Sequence, residues 1–269
     1  HGKRIEIRRD DDGTFTIRDY GRGIPLGKLT AAVSQINTGA KYNDEVFQFS
    51  VGLNGVGTKA VNALSEHFHA VSFRDGSYAE AEFERGKLLR EKNGTTSKHR
   101  NGTYVQFRPD RELFGDYAYN EEFVLQRLWN YAYLNAGLTI VYNKERIVSE
   151  GGLRDLLAAE VGDNGMYEVA HLRQERLEFA FTHTTSYGET YWSFVNGQYT
   201  SDGGTHQSAF REGVLKGVNE FFRKNYAGED VREGIAGAVA IRIKEPQCEG
   251  QTKKKLGNWE VRAWIVGEV

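Results

Sequence analysis

Two segments near the start of the chain alternate apolar and polar residues around a turn, and this pattern constrains the fold most. Residues 3–19 alternate on either side of Asp11-Asp12-Gly13, and residues 68–74 and 77–84 do the same around Asp75-Gly76. Alternation with a period of two around an Asp-Gly turn predicts a β-hairpin. The chain is therefore expected to contain antiparallel sheet.

Helical periodicity and helix-end signals predict several helices among these strands. Pro25 precedes a helix that runs to about Asn37, another opens near Gly57, and Asn120 is the predicted N-cap of a helix that ends at Asn135. Strands are predicted at 103–107, 138–142, 175–184, 189–196 and 235–243. Because strands and helices are mixed without a regular βαβ alternation, we assign the chain to the α+β class.

Spacing also predicts which side of each helix is buried. The residues expected to face a core are Ala60, Val61 and Leu64 in the helix near Gly57, Val124, Leu128 and Tyr131 in the helix after Asn120, and Phe210, Val214, Val218 and Phe221 in a fourth helix.

Size and charge limit the classes of protein that fit. The 269 residues suit one large or two modest domains, and Gly151-Gly152 marks a boundary, so we predict domains at 1–148 and 149–269. The formal net charge of −2 predicts no nucleic-acid or membrane partner by itself. No apolar run approaches the ~20 residues that span a bilayer. The single cysteine, Cys248, favours a reducing compartment, so a cytoplasmic location is expected.

The first segment whose residue types suggest a binding site is Asp19-Tyr20-Gly21-Arg22-Gly23-Ile24-Pro25, at the end of a predicted strand. A strand-end carboxylate followed by two glycines lets the backbone turn sharply and approach a flat ligand. The carboxylate can accept a hydrogen bond from an exocyclic amino group such as that of adenine. An ordinary Asp-rich turn explains this segment about equally well when it is taken alone.

The second segment is Gly52-Leu53-Asn54-Gly55-Val56-Gly57-Thr58, which follows a long predicted loop at 38–56 and runs into a helix. Backbone N–H groups at a helix start, with glycines that permit close approach, are suited to phosphates. Two other motifs overlap it: residues 55–60 match the dinucleotide fingerprint, and Gly52 to Gly57 have the Walker A glycine spacing with Thr58-Lys59 in reversed order. Neither alternative accounts for the upstream Asp19 segment.

These two motifs, in this order, resemble the ATPase family shared by gyrase B, Hsp90, MutL and histidine kinases (GHKL). The second half is similar to the B subunits of bacterial type IIA DNA topoisomerases, and residues 194–206 resemble the topoisomerase IV branch more than gyrase, which stays the alternative. The segments that carry the resemblance are 37–42, 193–196, 202–206, 228–234 and 249–253.

The resemblance implies a two-layer GHKL-type ATP-binding domain, with a mixed sheet and helices on one face. A second α/β sandwich would follow, the transducer domain, which resembles the ribosomal protein S5 domain 2-like fold. It also implies roles for individual residues. Asp19 would recognise the adenine amino group, with Thr103 near the base and Gly23, Ile24 and Pro25 in the same site. The phosphates would be wrapped by Gly52, Leu53, Asn54, Gly55, Val56, Gly57 and Thr58. Lys41 would belong to the lid, and Lys253 with Gln251 would reach the γ-phosphate.

A lysine at the γ-phosphate would stabilise transition-state charge, whereas Lys253-Lys254-Lys255 taken alone would be a solvated basic run. Family members carry the water-activating glutamate and the Mg²⁺-binding asparagine on a helix upstream of the first strand. Neither can be assigned in a sequence that starts at His1, so no metal ligand is predicted. We expect this fragment to bind ATP without hydrolysing it by the family mechanism.

The leading hypothesis is an ATP-driven clamp segment of a topoisomerase. ATP and Mg²⁺ are its expected cofactors in the full enzyme. DNA, the A subunit and a second B subunit are its expected partners, and the location is the nucleoid-associated cytoplasm of a bacterium. A nucleotide-responsive interaction module without catalysis is the alternative from another class. A chaperone or mismatch-repair relative would need a different second half.

Other polar residues have simpler interpretations. His67 and His69 have strand spacing without an obvious third metal ligand, so surface histidines are favoured over a metal site. His206 follows Gly203-Gly204-Thr205 at a predicted helix start, where capping is the favoured role. No activating base is near Cys248 in sequence, which disfavours a catalytic thiol.

Overall fold

The computed structural model of the chain describes residues 2–36, 56–250 and 252–269. The described residues form two compact units, one that ends at Glu150 and one that runs from Gly151 to Val269. None of the helices in these three described ranges has the length and apolar character needed to cross a membrane.

The first unit is built on one eight-stranded sheet. Its strands are β1 (Arg4–Arg9), β2 (Phe15–Asp19), β3 (Ser65–Arg74), β4 (Ser77–Glu84), β5 (Lys87–Thr95), β6 (Gly102–Pro109), β7 (Thr139–Tyr142) and β8 (Glu145–Ile147). Their order is β5-β4-β3-β6-β2-β1-β7-β8. Only the β1–β7 pair is parallel among these neighbours. Both hairpins predicted from the alternating segments are confirmed, with β1 paired to β2 and β3 paired to β4.

The helices of this unit cover one face of the sheet. They are α1 (Leu29–Ser34), which follows a 3-10 turn at Leu26–Lys28, α2 (Gly57–Ala63), α3 (Arg111–Phe114) and α4 (Glu121–Leu134). Leu29 and Val33 of α1 pack against Phe68 and Phe83, and burying each of these rings contributes about 2–3 kcal/mol. Phe107 packs both against these α1 residues and against the cluster around Leu128 of α4. Helices α1 and α4 therefore lie on the same face of the sheet.

The second unit is a sheet with helices on both faces. Its elements are α5 (Leu153–Val161), β9 (Ala170–Arg173), β10 (Leu177–His183), β11 (Thr190–Val195), β12 (Gln198–Tyr199), α6 (Thr205–Phe222), α7 (Gly228–Arg232), β13 (Ile235–Ile241) and α8 (Val261–Glu268). The strand order is β12-β11-β13-β10-β9, with β11 and β13 parallel. Phe179 of β10 packs with Phe210 of α6 and Ile265 of α8, whereas α5 packs against β10 and β13. The α+β class is confirmed.

Most predicted elements are present, but three predicted buried residues are exposed. Leu64 is 44% exposed, Tyr131 55% and Phe221 80%. In α4 the buried residues are Leu128 and Ala132, a spacing of four that turns Tyr131 outward. Helix α6 is buried only between His206 and Val214, so Phe221 in its last turn lies beyond the packed part.

The face of α2 also differs from the prediction, because a polar contact sets its orientation. The Asn62 side chain donates to the Val33 carbonyl of α1 at 3.0 Å, and Asn62 is 1% exposed. Lys59, one turn earlier, is 7% exposed, and this burial lowers the pKa of its ammonium group. Two polar residues thus occupy the face that apolar spacing had assigned to Leu64.

Strand β5 has no counterpart in the sequence predictions. It pairs with β4 at the edge of the sheet, and Leu88 and Leu89 are 46% and 61% exposed. An edge strand buried on neither side needs no apolar alternation, which is why periodicity missed it.

Candidate nucleotide-binding site

Asp19 lies at the last position of β2, opposite Ile5 of β1. Its Oδ1 accepts a hydrogen bond from the Gly21 backbone N–H at 2.8 Å, and the residue is partly buried. Within the described residues, Gly21 is the sole hydrogen-bond donor to this carboxylate. The second oxygen, Oδ2, therefore remains available to an amino group from a ligand.

The turn after Asp19 is fixed against β3. Gly23 has φ +74°, and a Cβ there would lie 2.7 Å from the Phe73 carbonyl oxygen, so glycine is required on both conformational and steric grounds. The Ser72 hydroxyl donates to the Ile24 carbonyl at 2.6 Å, and Ser72 is fully buried. Pro25 then begins the 3-10 turn that leads into α1.

Thr103 is brought to the same place by strand register. It pairs with Ser72 across β3 and β6, and its carbonyl accepts from Arg18 Nη1 at 3.4 Å. The same guanidinium donates to the Asp19 carbonyl and to the Arg100 carbonyl, the latter at 2.6 Å. The ends of β2, β3 and β6 thus bring Asp19, Ile24 and Thr103 together around Ser72.

Sequence reasoning missed both Ser72 and Arg18. A signal for Ser72 existed, because Phe68, Ala70 and Ser72 alternate on the fully buried side of β3. A small polar residue at the end of an inward-facing run has to find a hydrogen-bond partner there. No comparable signal marked Arg18, whose role depends on the close approach of three backbone segments.

The phosphate segment is only partly described. Lys41, Gly52, Leu53, Asn54 and Gly55 lie outside the described residues, as do the predicted loop residues up to Gly55. Val56 precedes α2, and the first helical hydrogen bond runs from Ala60 N–H to the Val56 carbonyl at 2.9 Å. The amide groups of Gly57, Thr58 and Lys59 therefore have no intrahelical acceptor, as at any helix start, and Gly57 and Thr58 are exposed.

Lys253 belongs to the second unit and has φ +54°. It lies in a loop closed by an antiparallel bridge between Cys248 and Leu256 and by a hydrogen bond from Glu249 N–H to the Lys255 carbonyl at 2.9 Å. Gln251, its predicted partner, is outside the described residues. The structure thus places Lys253 within a constrained loop rather than in an extended basic tail.

The capping role predicted for His206 is wrong. Gly204 is the N-cap of α6, no side chain caps that end, and His206 is fully buried inside the unit. Its Nε2 lies 3.1 Å from Thr200 Oγ1, and Nδ1 has no partner among the described residues. Burial lowers the pKa of His206 to about 4, so the imidazole is neutral at pH 7.

His67 and His69 lie on β3, as expected for strand residues. Ligand atoms of His69, Glu80 and Glu82 lie within 4.8 Å of one another, a grouping supplied by β4 that sequence spacing had not suggested. His69 Nε2 is 2.9 Å from Glu80, and Arg90 pairs with Glu82 at 2.6 Å. These contacts already bind the carboxylates, which makes the group an ion-pair network on the sheet surface.

A well-formed cleft among the described residues lies away from Asp19. It has a volume of about 350 Å³ and is bordered by the β1–β2 turn and by residues 109–119, at the opposite end of the hairpin from Asp19. Arg9, one of two basic side chains at its edge, already donates to the Tyr119 carbonyl at 3.1 Å and pairs with Glu121 at 2.5 Å. Because Arg9 is already paired and five aspartates also line this cleft, which disfavours the phosphates of a nucleotide, the strand ends around Asp19 remain the better candidate site.

Comparisons with known proteins identify the family. A family model described as DNA gyrase B matches residues 148–269. The chain is 53% identical over 270 residues to the B subunit of DNA topoisomerase 4 from Borreliella burgdorferi, covering 100% of this chain and 45% of that protein. It is 33% identical over 295 residues to the B subunit of DNA gyrase from Thermotoga maritima, covering 96% and 46% respectively.

Similarity extends to solved structures. The crystal structure of the 43K ATPase domain of Thermus thermophilus gyrase B, in complex with an aminocoumarin, matches with a TM-score of 0.78 and 28% identity, over 100% of this chain and 76% of that one. The present chain spans slightly less than half the length of the curated relatives named above. With this fold and these sequence relationships, the chain belongs to the family of type IIA DNA topoisomerase B subunits that includes those of topoisomerase IV and gyrase.

Proposed function

We propose that this chain is the ATP-binding and transducer part of a type IIA topoisomerase B subunit, of the topoisomerase IV type rather than the gyrase type. Identity of 53% to a topoisomerase IV relative against 33% to a gyrase relative supports that choice. The observation that carries ATP binding is the convergence of Asp19, Ile24 and Thr103 around the buried Ser72. The first unit would bind the nucleotide, and the second would transmit its state.

Asp19 is proposed to select adenine. Its Oδ1 is held by the Gly21 N–H, so Oδ2 has a fixed position in which it can accept a hydrogen bond from the adenine amino group. Guanine would present a carbonyl oxygen at that position, and two acceptors facing each other repel. Gly23 and Gly102, both with positive φ, let the backbone segments at the strand ends pack closely against one another, and Thr103 adds a hydroxyl there.

The triphosphate is proposed to bind along residues 52–58, with Lys41 in the lid and Lys253 with Gln251 at the γ-phosphate. The amide groups at the start of α2, which have no intrahelical acceptor, support the first part of this proposal. A Lys253 ammonium at the γ-phosphate would make binding sensitive to whether ATP or ADP is present. Mg²⁺ would accompany the triphosphate through its phosphate oxygens.

The wider setting follows from the relatives. In a complete protein, ATP binding would bring two B subunits together, and the second unit would pass that state to the A subunit and the DNA. Such a protein would act in the bacterial cytoplasm, at the nucleoid.

The test is the affinity for a non-hydrolysable ATP analogue, measured by calorimetry on the whole chain. Asp19→Asn keeps the size of the side chain but places an amide where a carboxylate is needed. We expect affinity to fall about tenfold or more, because a hydrogen bond to a charged group contributes about 1.5–3 kcal/mol. The corresponding GTP analogue should bind much more weakly to the unmodified chain.

Asp11→Asn is the matched control, since Asp11 is an exposed aspartate in the turn at the other end of the same hairpin. It should bind the ATP analogue as the unmodified chain does. Equal affinities for Asp19→Asn and Asp11→Asn would refute the proposed adenine site.

A further inference from the structure

The loop that carries Lys253 is held by a second loop, not by a strand of the sheet. Asp202 N–H donates to the Lys254 carbonyl at 2.9 Å, and Leu256 N–H donates to the Gly203 carbonyl at 3.1 Å. Thr205 N–H returns a bond to the Leu256 carbonyl at 3.0 Å. The segment around Lys253 is thus bonded to the turn 200–205, which leads into α6.

The two loops approach each other so closely that the contact needs glycine. Gly204 has φ +131°, and a Cβ at this position would overlap the Leu256 backbone. Leu256 itself is 1% exposed and belongs to the core of the unit. The position of the Lys253 loop therefore follows the position of the 200–205 turn.

A buried polar group of three side chains fixes this turn in its place. Ser193, Thr200 and His206 are each at most 1% exposed. Thr200 Oγ1 lies 2.7 Å from Ser193 Oγ, 2.8 Å from the Ser193 carbonyl and 3.1 Å from His206 Nε2. All these contacts are satisfied when the Thr200 hydroxyl donates to the Ser193 carbonyl and accepts from Ser193 Oγ–H and His206 Nε2–H.

This group joins β11, the turn and the start of α6 at one hydroxyl. A buried polar atom that loses its partner costs more than the bond itself contributes, so the three elements keep one relative arrangement. His206 is neutral in its buried position, and in the arrangement described above its proton is on Nε2 and its Nδ1 has none. The imidazole thereby contributes a directional contact without bringing charge into the core.

We propose that Thr200 and His206 are positioning residues for Lys253: their buried contact fixes the turn 200–205, and that turn holds the loop that presents the lysine to the γ-phosphate. This inference rests on the proposed function of Lys253. It predicts that a change confined to the core of the second unit alters the discrimination between ATP and ADP.

The measured quantity is the ratio of the ADP dissociation constant to that of the imido analogue of ATP, because only the latter offers a γ-phosphate. Lys253→Ala should lower this ratio about tenfold. Thr200→Val has nearly the same shape but lacks the hydroxyl, and it should lower the ratio about threefold while ADP affinity stays unchanged. Thr200→Ser restores the hydroxyl and should restore the ratio.

Thr182→Val is the matched control. Thr182 is also fully buried in the second unit and donates to the Tyr167 carbonyl at 2.9 Å, but it makes no hydrogen bond to the 200–205 turn. Its substitution should lower thermal stability by a similar amount and leave the nucleotide ratio unchanged. An equal loss of the ratio in Thr182→Val and Thr200→Val would show a general effect of destabilisation and overturn the inference.

Two further outcomes separate the positioning role of Thr200 from the γ-phosphate role of Lys253. If Lys253→Ala lowers the ratio and Thr200→Val does not, the positioning role is wrong and the γ-phosphate role stands. If Lys253→Ala leaves the ratio unchanged, the γ-phosphate role is wrong and this inference is lost with it. Should Thr200→Val fail to fold, His206→Gln and His206→Met replace it. Glutamine keeps a donor near the Nε2 position and should preserve the ratio. Methionine lacks that donor and should lower the ratio.

Discussion

The strand ends around Asp19 and the loop around Lys253 hold the groups proposed to bind the nucleotide in different ways. Asp19 and Thr103 lie at the ends of paired strands, so the register of β2, β3 and β6 fixes them. Lys253 is in no strand, and its loop depends on backbone hydrogen bonds to the 200–205 turn and on the polar group beneath it. Many contacts fix the position of a residue on a sheet, whereas only a few fix the loop. Single substitutions should therefore disturb the loop more.

Gly204→Ala should give the largest effect. Its φ of +131° and the overlap with the Leu256 backbone combine backbone strain with overpacking, which together cost about 4 kcal/mol. The free energy of unfolding, measured by denaturant titration, checks this value. Gly13→Ala is the control: Gly13 has φ +83° but nothing within 4 Å of the new Cβ, so about 1 kcal/mol is expected. Similar losses in both would show that the two loops are not tightly joined.

Acid should give the second largest effect, a decrease in the free energy of unfolding of the chain. Burial lowers the pKa of His206 from 6.5 to about 4, so the unfolded chain binds more protons than the folded one between these values. The contribution to stability is complete above pH 6.5 and is lost as the pH falls towards 4, a change of about 3 kcal/mol.

The comparison with His206→Gln isolates this effect, because all other titrating groups are common to both proteins. The free energy of unfolding of the unmodified chain should fall more steeply between pH 6.5 and 4 than that of the variant. Parallel curves would contradict a neutral, buried His206.

A second group, Glu189, titrates in a lower range. Burial alone would raise the pKa of Glu189, but hydrogen bonds from Arg211, Tyr191 and Arg232 outweigh it and lower the pKa to about 2. Its contribution is present above pH 4.5 and is lost only as the pH falls towards 2. The loss due to His206 is thus centred above that due to Glu189, and a Glu189→Gln variant, compared with the unmodified chain by denaturant titration, should remove part of the loss of stability below pH 4.5.

Ser72→Ala should give the smallest effect and tests the sheet side of the comparison. It removes the hydrogen bond to the Ile24 carbonyl with little change in volume, and about 1 kcal/mol of stability should be lost. Ser34→Ala removes a hydroxyl that bonds only within its own helix and should cost less. A loss well above this value at Ser72 would mean that strand register does less to fix the Asp19 turn than we infer.

The sequence by itself determined the two hairpins, the position of α4 with its Asn120 cap, and the resemblance that led to the family. These features depend on contacts between near neighbours: alternation around Asp-Gly turns, and a side chain that accepts from Glu122 N–H two residues on. Asp19 could be selected for the same reason, since a strand-end carboxylate before Gly21 and Gly23 is a local pattern.

Only the tertiary structure decided the rest. Leu64 is exposed because Asn62 bonds to α1, and His206 is buried because the start of α6 packs into the second unit. Ser72, Arg18 and the 200–205 turn acquire their roles from partners between 48 and 85 residues away or across a close approach of two loops. A sequence shows which residues can make such contacts. The packing of the whole unit determines which of them pair, and local periodicity carries no information about these long-range partners.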